Sequence, residues 1–192
     1  MANTCFNLIS FYSKENNKDA LLLFENKLKK LDQNKNITLI DFYKELTNLT
    51  IDEIDRTLEG RGQLQSISYN DDRIEIEFES AWTPVNKDIE KIAILNNLNS
   101  VCLAEENGCD IFLNTDTEGL FYDSQYQIDC CLKDTEEEYY TEYFNSLEQM
   151  LDFCRNTLYL DFNTFEELEN FCDNFESDDD EEFISLHVFS NE

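Results

Sequence analysis

Carboxylates are the side chains this chain offers most densely, and they crowd into "NFESDDDEEFISLHVF" (174–189), where Asp178, Asp179, Asp180, Glu181 and Glu182 stand in succession. A second acidic triplet, Glu136, Glu137 and Glu138, leads into the aromatic group Tyr139, Tyr140 and Tyr143. An ionised carboxylate only accepts hydrogen bonds, so such runs suit the guanidinium and ammonium groups of a basic protein. The simpler alternative is a solvated loop that aids solubility. The residues beyond the longer run distinguish a connection from a tail. Ile184, Leu186 and Val188 alternate as one face of a strand, so the acids lie between folded elements.

Catalytic patterns are hard to assemble from the remaining residues. His187 is the sole histidine and stands among apolar residues, with no nucleophile elbow or catalytic cysteine signature nearby. It reads as a structural or surface histidine. Four glycines form no phosphate-binding loop. Cys5, Cys102, Cys109, Cys130, Cys131, Cys154 and Cys172 are odd in number and show no C-x-x-C spacing, which fits neither a disulfide scaffold nor a zinc site. "NTDTEG" (114–119) has the alternating Asn114, Asp116 and Glu118 of a calcium loop, yet Gln125 stands where such a loop needs a bidentate Glu. A polar hairpin turn explains the same residues, and no cofactor is expected.

Charge is distributed unevenly. Residues 1–92 hold 17 acids and 12 bases, whereas residues 93–192 hold 26 acids against Lys133 and Arg155. The second half therefore repels phosphate backbones and attracts cationic partners, an attraction that salt screens. Direct nucleic-acid binding is not expected. With 41% hydrophobic and 13% aromatic residues the chain is too apolar for disorder, and 192 residues fit one domain, or one domain with a small appendage, and can bury a core. The N-terminus lacks the basic segment of a secretion signal and no apolar run reaches membrane-spanning length, so a reducing cytoplasm is expected.

Periodicity predicts the elements that must position these residues. "CFNLISFY" (5–12) alternates as a strand; Leu21, Phe24, Leu28 and Leu31 mark a helix; Leu39, Phe42, Tyr43 and Leu46 mark a second over 39–49. "TIDE" (50–53) is a capping box for a short third helix. "LQSISY" and "RIEIEFE" predict a hairpin, with Ile74, Ile76 and Phe78 on one face and Arg73, Glu75, Glu77 and Glu79 on the other. A helix is expected over 86–97, burying Ile89, Ile92, Ala93, Leu95 and Leu98, with strands after it near 100–105, 109–114 and 120–130. "FNSLEQMLDFCRN" (144–156) is echoed eighteen residues later by "FNTFEELENFCDN" (162–174), each copy opening with a capping pair. Two successive helices result, either as simple packing or as paired binding ridges.

"MANTCFNLISFY", "FESAWTPV" (78–85), "LAEENGCDIF" (103–112) and "DTEGLFYDSQYQID" (116–129) together resemble the YubB-type ferredoxin-like domain family of phage, plasmid and other mobile-element proteins. The resemblance covers residues 1–157 and leaves two departures, a helical insertion at 39–57 and an extension at 158–192 that adds a helix, the acidic loop and a strand. It implies an α+β fold, a ferredoxin-like antiparallel sheet with helices packed on one face, plus the extra C-terminal elements. It carries no catalytic residues. Combined with the acidity, it leads to an expected inhibitor of a host defence enzyme. The partner would be a basic, nucleic-acid-binding nuclease or CRISPR effector in a bacterial host, met by Glu136–Glu138 and Asp178–Glu182. The alternative is a non-enzymatic accessory or scaffold protein whose acidity serves solubility.

Overall fold

Alternating apolar residues build the central sheet. In the computed structural model, which describes residues 3–13, 18–31, 36–47, 49–133, 139–177 and 182–191, the first strand is β1 (Thr4–Ser13). Then come helices α1 (Lys18–Leu28), α2 (Leu39–Leu46) and α3 (Ile51–Thr57), strands β2 (Gly62–Tyr69) and β3 (Arg73–Ala81), helix α4 (Asn86–Leu95) and strands β4 (Leu98–Glu106) and β5 (Ile111–Asn114). The strands form an antiparallel sheet of order β2-β3-β1-β4-β5. A second, three-stranded sheet of order β7-β6-β8 uses β6 (Tyr126–Cys131), β7 (Tyr140–Phe144) and β8 (Phe183–Val188), with α5 (Leu147–Asn156) and α6 (Phe165–Asp173) between the last two. This is a mixed α+β protein with six α-helices among the described residues.

The chain divides into two compact units, Met1–Asp116 and Thr117–Asn191. Each owns a core. In the first, Cys5, Ile9 and Phe11 of β1 join Ile74, Ile76 and Phe78 of β3 on one sheet face, and Leu21, Phe24, Phe42, Tyr43, Ile54, Ile89 and Ile92 of the helices pack with them. In the second, Ile128, Cys130, Tyr140, Phe144 and Ile184 meet Met150, Leu151, Cys154 and Leu168. The expected 158–192 extension supplies α6 and β8, which complete this second core rather than trailing from the first.

Local signals act as expected at the helix starts. The Asp41 carboxylate accepts the Thr38 amide at 3.1 Å, and Glu53 does the same for Thr50 at 2.8 Å. In the echoed pair, Ser146 and Thr164 accept the amides of Gln149 and Glu167. Two expectations need correction. Leu95 is 55% exposed, because the buried stripe of α4 ends at Ala93 and the chain turns through Asn97 at a φ of 56° before Leu98 enters β4. The strand expected over 120–130 begins only at Tyr126, and β7 has no counterpart among the expected elements. "YTEYF" alternates weakly, with Tyr140 and Phe144 inward and three exposed residues between.

Buried polar groups pin the loops of the first unit. Asn7 donates to Ser80 Oγ at 2.9 Å and accepts the Val85 amide at 2.9 Å, which fixes the turn carrying Trp82 at a φ of 72°. Asp88, only 1% exposed, accepts the amides of Glu59 and Gly60 at 3.1 and 2.8 Å, and Lys91 Nζ lies 3.4 Å away. A Cβ at Gly60 would stand 3.2 Å from that carboxylate, so the close approach favours glycine. Replacing Asp88 takes the carboxylate from these part-buried donors and leaves Lys91 without its buried partner. Asp88→Ala is therefore expected to lower stability by about 2–3 kcal/mol in urea denaturation, with Asp88→Asn recovering part of the loss.

Candidate functional site

Of the eight acids singled out in the sequence, Glu136, Glu137, Glu138, Asp178, Asp179, Asp180 and Glu181 lie outside the described residues. Glu182 lies within them. Its carboxylate accepts the Lys133 amide at 2.9 Å, stands 3.7 Å from Lys133 Nζ and is hydrogen-bonded by Ser177 Oγ. It thus ties the start of β8 to the end of β6. Of the aromatics that adjoin the acidic runs, Tyr140 is core, while Tyr139, Tyr143 and Phe183 are exposed.

The first sheet holds acids in a fixed array on the face opposite its core. Glu75, Glu77 and Glu79 project from alternate positions of β3, spaced roughly 7 Å apart by strand geometry. Phe6 of β1 pairs with Glu79 on one side and Glu105 of β4 on the other, which brings a fourth carboxylate to this face. Neighbours restrain the ends of the row: Gln65 Nε2 donates to Glu79 at 3.0 Å, and Asn70 Nδ2 donates to Glu75 at 2.9 Å. Arg73 Nε stands 3.2 Å from Glu75. The pleat, not a local loop, sets the spacing.

The second sheet carries a polar constellation that sequence reasoning missed. Register places Tyr143, Gln127 and His187 in one cross-strand row and Thr141, Asp129 and Ser185 in the next, on the face opposite α5 and α6. Asp129, 6% exposed, accepts Gln127 Nε2 at 2.8 Å and Thr141 Oγ1 at 2.7 Å, and His187 Nε2 stands 3.5 Å away. Burial alone would raise the Asp129 pKa. Hydrogen bonds from His187, Thr141 and Gln127 outweigh it and hold the carboxyl below its ordinary value. Gln127 is 2% exposed, and its Oε1 has no hydrogen-bond partner among the described residues.

This arrangement differs from a nucleophilic relay. Thr141 donates to Asp129 itself, whereas a hydroxyl–imidazole–carboxylate relay needs the hydroxyl on the imidazole. The constellation accepts hydrogen bonds. His187 lies 58 positions along the chain from Asp129, and the period-two spacing of Gln127 and Asp129 was the only trace of it in the sequence.

Among the described residues no group of three or more His, Cys, Asp or Glu side chains could hold a metal ion. Asn114 Oδ1 accepts the Asp116 amide at 2.9 Å, which closes the calcium-like string as a local turn, with Gly119 at a φ of 63°. Burial pushes the thiols of Cys5 and Cys130 up to about 11 and those of Cys154 and Cys172, the equivalent cysteines of the echoed helices, up to about 12. They stay protonated near neutral pH and act as small apolar groups. No described helix is long and apolar enough to cross a membrane.

No protein-family model, curated protein or solved structure matches this chain.

The Asp129 carboxyl gives a pH signature. Its depressed pKa means that its contribution is fully present above the unfolded value of about 3.9 and is lost as pH falls through the lower folded value. Asp129→Asn should be less stable than the parent by about 1.5–3 kcal/mol at neutral pH, with the gap closing below about pH 4. Urea denaturation across a pH series measures it. A gap that does not change with pH would contradict the assignment.

Proposed function

We propose that this protein is a non-catalytic inhibitor that occupies the basic nucleic-acid or guide-RNA channel of a host defence enzyme, a CRISPR effector or a restriction nuclease. The observation that carries the reading is the ordered row of Glu75, Glu77 and Glu79 with Glu105 beside it. Carboxylates held at regular spacing on a rigid sheet offer a cationic channel repeated negative charge without a nucleic-acid backbone. The charge balance of residues 93–192 extends the same sign over much of the chain.

The reading also takes the first unit as ferredoxin-like. Its β1–α1 to β2–β3–α4–β4 succession and the neighbour order β2-β3-β1-β4 support that arrangement, with α2 and α3 inserted after α1 and β5 added at the edge. The resemblance to YubB-type proteins of mobile elements supports a bacterial setting. Fold alone assigns no activity.

One observation favours the alternative of an accessory or scaffold protein. Leu22 and Leu23 of α1 and Ile94 and Leu95 of α4 are exposed, and an apolar contact through them would tolerate salt.

A competition assay separates the two, using a labelled oligonucleotide bound to a purified CRISPR effector or restriction nuclease from the host. The parent chain should displace the oligonucleotide at low salt. The combined Glu75→Lys, Glu77→Lys and Glu79→Lys variant should lose tenfold or more in apparent affinity, about 1.4 kcal/mol. Asp178→Lys, Asp179→Lys and Asp180→Lys together test the acidic run in the same assay. Undiminished displacement by a folded β3 variant would remove the row from the interface.

A further inference from the structure

The second unit has few cations to spare. Residues 117–191 contain 21 acids against Lys133 and Arg155. Arg155 already stands 2.9 Å from both Asp152 and Asp161, and Lys133 is engaged with Glu182. Yet Gln127 Oε1 is buried without a hydrogen-bond partner, and a buried acceptor left unpaired is costly. Its neighbour Asp129 is also unsaturated. A carboxylate offers about four acceptor positions, and Gln127, Thr141 and His187 approach three.

We propose that this face of the second sheet is a binding site for an arginine side chain presented by a protein partner, with Asp129 and Gln127 Oε1 as the acceptors. Two acceptors on successive same-face positions of one strand suit a planar fork of donors better than a single ammonium point. Tyr143, directly across from Gln127, is 44% exposed and packs on Phe189 at a centroid distance of 6.3 Å. It is the exposed ring beside these acceptors, and in the proposed complex its face lies against the guanidinium. The strongly negative surroundings draw in a cation and disfavour an anion. The inference rests on reading the protein as a binder of a basic partner, and it names one anchor within that contact.

The test is a titration of the isotope-labelled full chain, monitored by nuclear magnetic resonance, with the peptide acetyl-Gly-Arg-Gly-amide. The control peptide carries citrulline, the neutral analogue, in place of arginine. The expected result is a saturable shift of the Gln127 side-chain amide and the His187 ring signals with the arginine peptide and none with the control. Tyr143→Ala, an exposed position, should weaken that binding at least threefold without unfolding the chain, and Asp129→Asn should weaken it tenfold or more. Gln127 and His187 signals that stay in place while carboxylate-rich surfaces shift diffusely would overturn the anchor, even if inhibition of a nuclease is intact. A saturating shift at Gln127 in a chain that displaces no nucleic acid would support the arginine site and count against the channel reading alone.

Discussion

Mutual repulsion among 43 carboxylates, opposed by only 14 lysines and arginines, is the constraint under which every element of this chain must form. Ion pairing cannot relieve it, because there are too few cations. The structure turns instead to backbone amides, which carry partial positive charge and are abundant at helix starts and turns. Asp41 and Glu53 accept the amides that open α2 and α3, and Glu167 accepts the Asn163 amide before α6. Asp88 takes two amides of the α3–β2 connection, Glu106 takes that of Gly108, and Glu182 takes that of Lys133. Each such bond satisfies an otherwise orphaned donor and holds a carboxylate in one place. Acidity and order are thereby coupled.

Much of the first unit was legible because its signals are local. Leu39, Phe42, Tyr43 and Leu46 predicted the buried stripe of α2, and all four are buried. Ile74, Ile76 and Phe78 predicted the inward face of β3, which in turn fixed Glu75, Glu77 and Glu79 outward. The capping pairs of the echoed helices were equally readable, since they span only four residues. The division into two units was not, because it depends on which strands pair. β6 gathers β7 and β8 to itself, and β8 lies beyond two helices. For the same reason the Asp129 constellation stayed hidden. Its members come from three strands, and nothing in the vicinity of His187 pointed to a carboxylate on β6.

The two sheets hold negative charge in different ways. On the first, β3 displays a regular row whose members are restrained by Gln65, Asn70 and Arg73 yet remain on the surface. Such a row gives long-range attraction and register with little chemical selectivity. On the second, Asp129 and Gln127 are buried, few and directional, which suits selection of one kind of donor. In the proposed reading each surface serves a basic partner in its own way, the row by steering and the Asp129 face by selection.

The most direct test of that central claim is affinity capture of the tagged chain's partners from a bacterial lysate across a salt series, with nucleic acid added as competitor and retained proteins identified by mass spectrometry. The account predicts a nucleic-acid-handling protein that is held at low salt, released as ionic strength rises and displaced by its own nucleic acid. Partners that persist at high salt and ignore added nucleic acid would contradict it.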